Sequence, residues 1–304
     1  MTTEPISQES EQIEKCSFIT IVGATNVGKS TLVNALVGSK VSIVTYKPQT
    51  TRIRIMGILT EPPTQLIFVD TPGIFTTNQP FEKNMLQEAL TGMEEAEKIL
   101  FMVDARKGIC KNTKIAIQRL EKIAKRPNVK IIICINKVDL VKKTDLLALI
   151  TKLQSLSTNI FMISALKKDG VEQLKQYLMD DAEEGMWLYP EDQTANITER
   201  LLASEITREK LFILMQQELP YSLMVKTEKF EERKKDIKLY QTIYIEKESQ
   251  KTIIVGKRGA NIKKIGEMSR HELAKMFGKK VHLFLFVKVR GNWKQKPDIW
   301  AEED

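Results

Sequence analysis

The sequence predicts an α/β domain with a mostly parallel sheet, followed by a smaller α+β domain. The first half of the 304-residue chain alternates short, nearly continuous apolar runs with segments of helical periodicity. This order is expected of a parallel sheet whose strands are buried on both faces. The pattern changes after residue 180, where a polar stretch contains a glycine and a proline. We therefore expect a first domain over residues 15–180, a linker over 181–195, a second domain over 196–293, and flexible tails at 1–14 and 294–304.

The apolar runs place the strands of the first domain. Five buried strands are predicted, at residues 18–22, 65–69, 99–103, 129–135 and 160–163. A helix is expected directly after the first strand, over residues 31–37. Residues 52–59 alternate between apolar and polar side chains and lead through two prolines to the second strand. We expect an antiparallel hairpin there, at one edge of the sheet.

The second domain has longer elements and alternating strands. The pattern predicts a helix around residues 197–217 and strands at 222–230 and 239–247. A glycine-containing loop and a helix follow, and the last strand covers residues 281–289. This order indicates an α+β module of one sheet and several helices.

Composition excludes several classes of protein. Hydrophobic residues make up 42% of the chain, which excludes general disorder. Three widely spaced cysteines and two histidines supply neither a disulfide framework nor a zinc site, so we expect a reducing, cytosolic compartment. No segment approaches the roughly 20 apolar residues of a membrane-spanning helix, and the polar N-terminus lacks a signal peptide's apolar stretch. The expectation is a protein neither exported nor inserted in a membrane.

Basic residues are concentrated near the end of the chain. The formal net charge is +8, and residues 251–304 contain 13 basic and six acidic residues. A local excess favours a surface that binds a polyanion such as nucleic acid. The alternative is a solvated basic face without a partner.

Residues 23–30, GATNVGKS, match the phosphate-loop pattern G-x-x-x-x-G-K-S/T between a predicted strand and a predicted helix. The glycines let backbone N–H groups turn toward phosphate oxygens at the helix N-terminus. Lys29 supplies charge to the β- and γ-phosphates, and the Ser30 hydroxyl is a Mg²⁺ ligand. The alternative is a glycine turn before a helix. The candidate nucleotide-binding residues here are Gly23, Asn26, Val27, Gly28, Lys29, Ser30 and Thr31.

Two further motifs follow predicted strands. In residues 70–73, DTPG, Asp70 is placed to hold the metal through water and Gly73 to offer its N–H to the γ-phosphate. Residues 136–139, NKVD, place Asn136, Lys137 and Asp139 after a later strand. A carboxylate there accepts two hydrogen bonds from adjacent N–H donors, which guanine has and adenine lacks. The alternative for this second motif is a polar strand-to-helix turn.

This ordered set resembles the Ras-like GTPase superfamily, in its TrmE-Era-EngA type. The resemblance implies that Ser164 and Ala165 form the last guanine-contacting loop. It also implies that residues 49–52, QTTR, form the first switch segment. A threonine of that segment ligates Mg²⁺ when GTP is bound, and we favour Thr51 over Thr50; a plain hydroxyl-rich loop is the alternative. The implied catalytic set is Lys29, Thr51, Asp70 and Gly73, with Ser30, Thr51 and Asp70 around Mg²⁺.

Ile74 follows Gly73, at the position where many GTPases carry a water-orienting glutamine. Isoleucine has no donor or acceptor for this task, so slow intrinsic hydrolysis is expected. Asn26 resembles the asparagine with which related GTPases bind K⁺ beside the phosphates. The alternative is that Asn26 only shapes its loop.

A second glycine motif lies in the basic segment. Residues 256–259, GKRG, place Lys257 and Arg258 between Gly256 and Gly259. Glycines let a nucleic-acid backbone pass closely, and basic side chains bind its phosphates. The following residues Ile262, Lys263 and Lys264 complete the candidate RNA contacts, and apolar residues 253, 254, 262 and 265 are expected to floor a groove. G-x-x-G alone is weak, because a basic turn also fits it.

In its context the motif resembles a type II KH domain. The apolar pattern of residues 252–255 suggests a strand, whereas the KH resemblance places a helix before the loop, and we follow the resemblance. From about residue 17 to 293 the chain resembles the Era family of ribosome-assembly GTPases. Its matches include residues 41–44, 69–73, 218–221 and 281–289.

The family resemblance implies GTP or GDP with Mg²⁺, a KH domain on small-subunit ribosomal RNA near its 3′ end, and a role in assembling the 30S-type subunit. It implies a cytoplasmic monomer with weak peripheral contact at the inner face of the cell membrane. Two departures stand out: Ala24 and Thr25 replace a frequent basic residue and proline, and the short acidic tail puts RNA contacts made there in doubt. The alternatives are a membrane-surface signalling GTPase and an RNA-binding scaffold whose nucleotide site does not turn over.

Overall fold

The computed structural model describes residues 13–47, 55–75, 80–216 and 219–291. The first domain is built on a six-stranded sheet with the order β2-β3-β1-β4-β5-β6, in which β2 alone is antiparallel to its neighbour. The predicted edge hairpin is therefore confirmed. The strands are β1 (Lys15–Gly23), β2 (Ile55–Glu61), β3 (Thr64–Asp70), β4 (Lys98–Asp104), β5 (Lys130–Asn136) and β6 (Ile160–Ile163).

Helices cover both faces of this sheet, which is why its strands read as continuous apolar runs. One buried cluster joins the strands to α1 and α5, and the other joins them to α2, α3 and α4. Thus Ile21 and Leu100 pack on one side, while Phe101 and Ile133 pack on the other. The helices are α1 (Lys29–Val37), α2 (Pro80–Glu95), α3 (Lys111–Ile123), α4 (Lys143–Leu153) and α5 (Val171–Asp180).

The linker lies against the first domain. Cys16 donates its backbone N–H to the Glu183 carbonyl at 2.9 Å, and the Gln65 side chain donates to the Tyr189 carbonyl at 2.9 Å. Further along, Ala195 bridges to Gly57 on the open side of β2. The linker therefore covers backbone groups that the edge strand would otherwise expose.

The second domain is an α+β layer of one mixed sheet with helices on one face. β8 lies in the centre, antiparallel to β7 and parallel to β9. Two buried clusters join the sheet to its helices. The elements are α6 (Glu199–Leu214), β7 (Leu223–Glu232), β8 (Asp236–Ile245), α7 (Glu248–Val255), α8 (Ala260–Phe277) and β9 (Lys280–Val289).

Residues 252–255 are helical, as the KH resemblance implied. The Gln250 side chain accepts the backbone N–H groups of Glu246 and Lys247 at 2.9 Å each, which fixes the start of α7. This local cap outweighs the β-branched pattern of the segment. Across the described ranges, none of the helices is both long and apolar enough to cross a membrane.

The two domains meet through buried charges. The Lys40 ammonium donates to both carboxylate oxygens of Glu209 on α6, at 2.8 and 2.7 Å, and also binds Glu272 on α8. Lys210 binds the same two carboxylates, and the Val44 backbone N–H donates to Glu209 at 2.8 Å. The segment that follows α1 is thus fixed to the second domain.

Candidate functional site

The phosphate loop lies between the end of β1 and the start of α1. Gly28 stands at the N-cap with φ near 105°, and no side chain among the described residues caps this helix end. A Cβ at Gly28 would lie 2.3 Å from the Asn136 side-chain nitrogen, so the position requires glycine. Residues 28–31, at the start of this helix, line a cleft together with residues 43–45 and Gly73. Such a helix start is an anion site.

Lys29 is buried at the base of this loop. It is 6% exposed, and its ammonium lies 3.4 Å from the Ala24 carbonyl. Burial lowers the pKa of the Lys29 ammonium, and the nearby Asp70 carboxylate opposes this effect. A buried ammonium near one carboxylate is suited to a strongly charged phosphate ligand.

Ser30 and Asp70 meet where a metal is expected. The Ser30 hydroxyl donates to Asp70 Oδ2 at 2.7 Å, and the Ser42 hydroxyl donates to the same oxygen at 2.9 Å. A hydroxyl and a carboxylate are the oxygen ligands that Mg²⁺ takes together with phosphate and water. Within the described ranges, no cluster of three or more His, Cys, Asp or Glu would hold a metal by itself. The donor set therefore fits a Mg²⁺ ion that arrives with a nucleotide.

The DTPG segment contacts the phosphate loop directly. The Ile74 backbone N–H donates to the Gly23 carbonyl at 2.9 Å, and a Cβ at Gly73 would lie 2.8 Å from the Thr25 Cα. The Ile74 side chain is 1% exposed and belongs to the core. This residue consequently offers the cleft no polar group. Thr51, the predicted metal ligand of the first switch, and Thr50 lie outside the described residues.

Asn136 joins three loops. Its side-chain nitrogen donates to the Val27 carbonyl at 2.8 Å, and its side-chain oxygen accepts the backbone N–H groups of Lys137 and Ala165 at 2.8 and 2.9 Å. The amide is therefore engaged by backbone groups, and Asn136 fixes the loops relative to one another. Asn136 thus links the phosphate loop to the loop of Ser164 and Ala165.

Asp139 lies at the base end, in a short 3₁₀ turn after β5. Its pKa is held below the usual range by a hydrogen bond with Ser164 and then by Lys167, whose ammonium lies 3.1 Å away. The carboxylate is therefore ionised at neutral pH and is suited to accept two N–H groups of a base. The predicted neighbours Ser164 and Ala165 are both buried beside it.

The sequence patterns missed two residues of the site. Asp104, at the end of β4, holds the Lys137 ammonium at 2.6 Å, and the same ammonium donates to the Asn26 carbonyl at 2.6 Å. Asn26 itself donates through its side chain to the Tyr46 carbonyl at 2.7 Å. The signal for Asp104 was its place at the carboxyl end of a parallel strand, where ligands of such sheets collect. Tyr46 gave no sequence signal.

The G-x-x-G loop joins α7 to α8 on the surface of the second domain. Gly256 has φ near 73°, and a Cβ there would lie 2.7 Å from the Asn261 side chain. Asn261 in turn donates to the Ile253 carbonyl at 2.8 Å, which holds the loop. Lys257 and Arg258 are both exposed between the glycines. The loop presents two cations beside a backbone without side-chain bulk.

The expected apolar floor of this loop is only partly present. Ile254 and Ile265 are fully buried in the core, so they do not line a groove. Their burial follows from the helical period, which turns every third or fourth residue of a helix such as α7 or α8 toward the sheet. Ile253 is exposed and Ile262 half-buried, and these two remain available. Lys263 and Lys264 are exposed on the first turns of α8.

Two protein families match separate parts of the chain. Residues 18–137 match the 50S ribosome-binding GTPase family, and residues 218–294 match the KH domain. Fold and site thus define a P-loop GTPase joined to a KH domain.

Similar proteins extend over the whole chain. A GTPase Era of Bradyrhizobium diazoefficiens is 45% identical over 99% of this chain and 97% of its own length. A GTPase Era of Brucella suis is 43% identical over 99% of this chain and 96% of its own. A crystal structure of Era with MgGDPNP and nucleotides 1506–1542 of 16S ribosomal RNA is 36% identical, covers 94% of this chain and 97% of that one, and superposes with a TM-score of 0.86. The chain belongs to the Era family of GTPases.

Proposed function

We propose that this protein is a GTP-hydrolysing switch that binds small-subunit ribosomal RNA near its 3′ end through its KH domain and acts in assembly of that subunit. The observation that carries the nucleotide half is the convergence of Lys29, Ser30 and Asp70 at the phosphate loop, which Asn136 joins to the loop of Ser164 and Ala165 beside Asp139. The RNA half is supported by the exposed G-x-x-G loop and by the Era structure in complex with nucleotides 1506–1542 of 16S ribosomal RNA.

In hydrolysis, a water oxygen bonds to the γ-phosphorus and the bond from that phosphorus to the β–γ bridging oxygen breaks, giving GDP and inorganic phosphate. The α1 N–H groups and Lys29 bind the phosphates, and Gly73 offers its N–H to the γ-phosphate. Bound Mg²⁺ neutralises charge on the β- and γ-phosphates and is held by Ser30 and Asp70, with Thr51 as the proposed third ligand. Asp139 selects guanine. Because Ile74 orients no water, the intrinsic rate is slow.

A potassium ion is proposed beside the phosphates, with Asn26 as its ligand. Asn26 is held in the left-handed region, with φ near 61°, and is hydrogen-bonded to Tyr46 and Lys137. This fixed backbone supports a positioning role close to the phosphates. Equal turnover in K⁺ and Na⁺ buffers, or unchanged turnover of an Asn26→Ala variant, would remove the proposal.

For the RNA, Gly256 and Gly259 let the sugar–phosphate backbone approach, while Lys257, Arg258, Lys263 and Lys264 meet its phosphates. Ile262 is proposed to contact a base. A single strand is favoured, because a KH loop clamps about four unpaired nucleotides.

The proposed place of action is the cytoplasm, where small subunits assemble, and the proposed state is a monomer. Weak contact of the basic KH surface with anionic lipid at the inner face of the membrane is proposed as well. Flotation with anionic vesicles, with single-stranded RNA as competitor, tests that contact.

The deciding experiment separates the two halves. Lys29→Ala is expected to abolish single-turnover GTP hydrolysis while ultraviolet crosslinking to single-stranded RNA persists without nucleotide. A Gly256→Asp/Gly259→Asp double variant is expected to lose crosslinking and to keep hydrolysis. Gly291→Asp, an exposed glycine of the same domain with open space around it, is the matched control. If the wild-type protein binds GTP but does not hydrolyse it, the alternative of an RNA-binding scaffold replaces the switch function.

A further inference from the structure

The outer face of the second sheet has no role in the function proposed above. Along β9, Val281, Leu283 and Leu285 pack against the helices, so the intervening residues point to the opposite face. The same alternation holds for β8, where Ile237 and Leu239 lie in the core. The α6 and α8 helices, which carry the contacts to the first domain, lie on the inner face.

Two phenylalanines stand exposed on that face. Phe284 is 43% exposed and Phe286 is 52% exposed. The register places Tyr240 of β8 opposite Phe284, and their rings stack with centroids 4.8 Å apart and planes 13° apart. A stacked pair beside a second exposed ring gives a flat aromatic surface on a sheet, which is suited to the faces of unpaired bases.

Basic residues lie at both ends of the aromatic surface. Lys238 pairs with His282 at one end, and Lys288 pairs with Tyr244 at the other. Neither lysine forms an ion pair with any residue that the structure describes. Lys229 places its ammonium 5.9 Å from the centre of the Tyr240 ring. The Glu231 carboxylate forms ion pairs with Lys229 and Arg233. Two further carboxylates lie on this side: the exposed Glu228 accepts the Tyr244 hydroxyl at 2.7 Å, and Asp236 lies 3.4 Å from His282. With Lys229, Lys238 and Lys288 around the rings, the charge there is positive on balance.

This face continues directly from the proposed RNA loop. β9 is an edge strand, and no further strand blocks its outer side within the described sheet. Its inner residues Leu285 and Val287 pack in the same cluster as Ile262 and Ile265 below the loop. An RNA strand that leaves the G-x-x-G loop therefore reaches the outer face of the sheet by crossing β9 alone. Residues 282–288 span about 20 Å, which matches the two or three bases that aromatic residues stack on other RNA-binding sheets.

We infer that the outer face of the β7–β8–β9 sheet is a second RNA-binding surface, on which Phe284 and Phe286 stack bases of a single strand while Lys238 and Lys288 bind its phosphates. The inference rests on the proposed RNA-binding function. The RNA would then contact the protein beyond the G-x-x-G loop as well. The added contacts are stacking and phosphate contacts, without base-specific hydrogen bonds.

The test compares two RNA lengths on the full-length protein. Fluorescence anisotropy measures binding of an RNA of about four nucleotides, which fills the loop alone, and one of about ten, which reaches the sheet. Wild type is expected to bind the longer RNA more tightly. A Phe284→Ala/Phe286→Ala variant is expected to bind the longer RNA about tenfold or more weakly and the shorter one unchanged. Phe18→Ala, at a strand phenylalanine that is 44% exposed in the first domain, is the matched control.

Two further variants separate stacking from other contacts. Phe284→Leu/Phe286→Leu keeps apolar surface without an aromatic ring and is expected to be as weak as the alanine pair. Lys238→Gln/Lys288→Gln is expected to reduce the slope of log affinity against log salt by about 1.4, because two phosphate contacts are lost. Circular dichroism melting confirms that each variant is folded. Ultraviolet crosslinks to the peptide containing residues 280–289 are expected with the longer RNA.

The outcomes keep this inference apart from the proposed function. Equal affinity of wild type and the alanine pair for the longer RNA overturns the inference and leaves the loop function standing. Full affinity of the leucine pair for the longer RNA also overturns it, since ring stacking would then contribute nothing to binding. Failure of wild type to bind either RNA overturns both proposals. Both proposals are supported if the Gly256→Asp/Gly259→Asp variant binds neither RNA and the alanine pair loses affinity for the longer RNA only.

Discussion

Lys40 and Glu209 connect the two domains through a buried ion pair: the ammonium lies 2.7 Å from Oε2 of a carboxylate whose side chain is 4% exposed. The other oxygen of Glu209 accepts the Val44 N–H at 2.8 Å. Two residues earlier, Ser42 binds Asp70, the predicted metal ligand. A segment of five residues therefore contacts the phosphate site on one side and the KH domain on the other.

Glu209→Ala should weaken the contact between the domains, because Lys40 and Lys210 lose a shared carboxylate inside the interface. The apparent free energy of unfolding is expected to fall by up to about 3 kcal/mol. Small-angle scattering should report a larger maximum dimension. Glu199→Ala, at an exposed carboxylate in the first turn of the same helix, should change neither quantity. An unchanged scattering curve for Glu209→Ala would contradict this role.

Asp139→Asn should move selectivity from guanine to xanthine nucleotides. The carboxylate accepts two N–H groups of guanine, whereas a carboxamide in its place pairs one acceptor and one donor with xanthine. GTP affinity is expected to fall by about 100-fold or more, with a gain for XTP, in competition against a fluorescent nucleotide. Asp145→Asn, on the exposed surface of α4, serves as the control. Retained GTP preference would refute the assignment of Asp139 to the base.

Ser30→Ala and Ser42→Ala should differ, although both hydroxyls donate to the same oxygen of Asp70. Ser30 is a predicted Mg²⁺ ligand and Ser42 is not. Removal of Ser30 should raise the Mg²⁺ concentration for half-maximal GTP hydrolysis about tenfold or more, while Ser42→Ala should leave it within about twofold. A magnesium titration of both variants is the measurement, and equal shifts would place the metal elsewhere.

GTP affinity should fall as pH rises on the alkaline side. Burial holds the pKa of Lys29 below its usual 10.5 in the free protein. Phosphate charge raises that pKa on binding, so the protein takes up a proton at pH values between the two pKa values. Calorimetry near pH 9, in buffers of different ionisation enthalpy, should detect this uptake. In Lys29→Arg the side chain stays charged at this pH, so this proton uptake should be absent. Titration of the guanine base itself would appear in both proteins, so the comparison separates the two sources.

Sequence patterns were sufficient for the order of the elements and the places of the loops. Buried parallel strands appear as local apolar runs, and the phosphate-binding and base-binding motifs follow the ends of β1, β3 and β5. Such signals need no knowledge of distant neighbours. The six-stranded α/β sheet was predictable for this reason, whereas the helix before the G-x-x-G loop followed from the KH resemblance, against a local pattern that favoured a strand.

Contacts between distant segments were not predictable in this way. Lys40 and Glu209 are 169 positions apart, and neither belongs to a motif. Asn136 was predicted at the base, but its bonds to Val27 and Ala165 became visible only when three loops were placed together. Ile254 was expected in the groove floor, and this was wrong, because the helix face that it occupies is decided by its packing against the sheet.

The attachment of the linker determines how the second domain can move. Asn196 is fixed to β2 through Met56, with distances of 2.8 and 3.2 Å, while Thr198 already caps α6 through Leu201 at 3.2 Å. Ile197 alone separates these two anchored points. Any reorientation of the second domain is therefore a rotation about Ile197. During such a rotation the G-x-x-G loop keeps a constant distance from that residue.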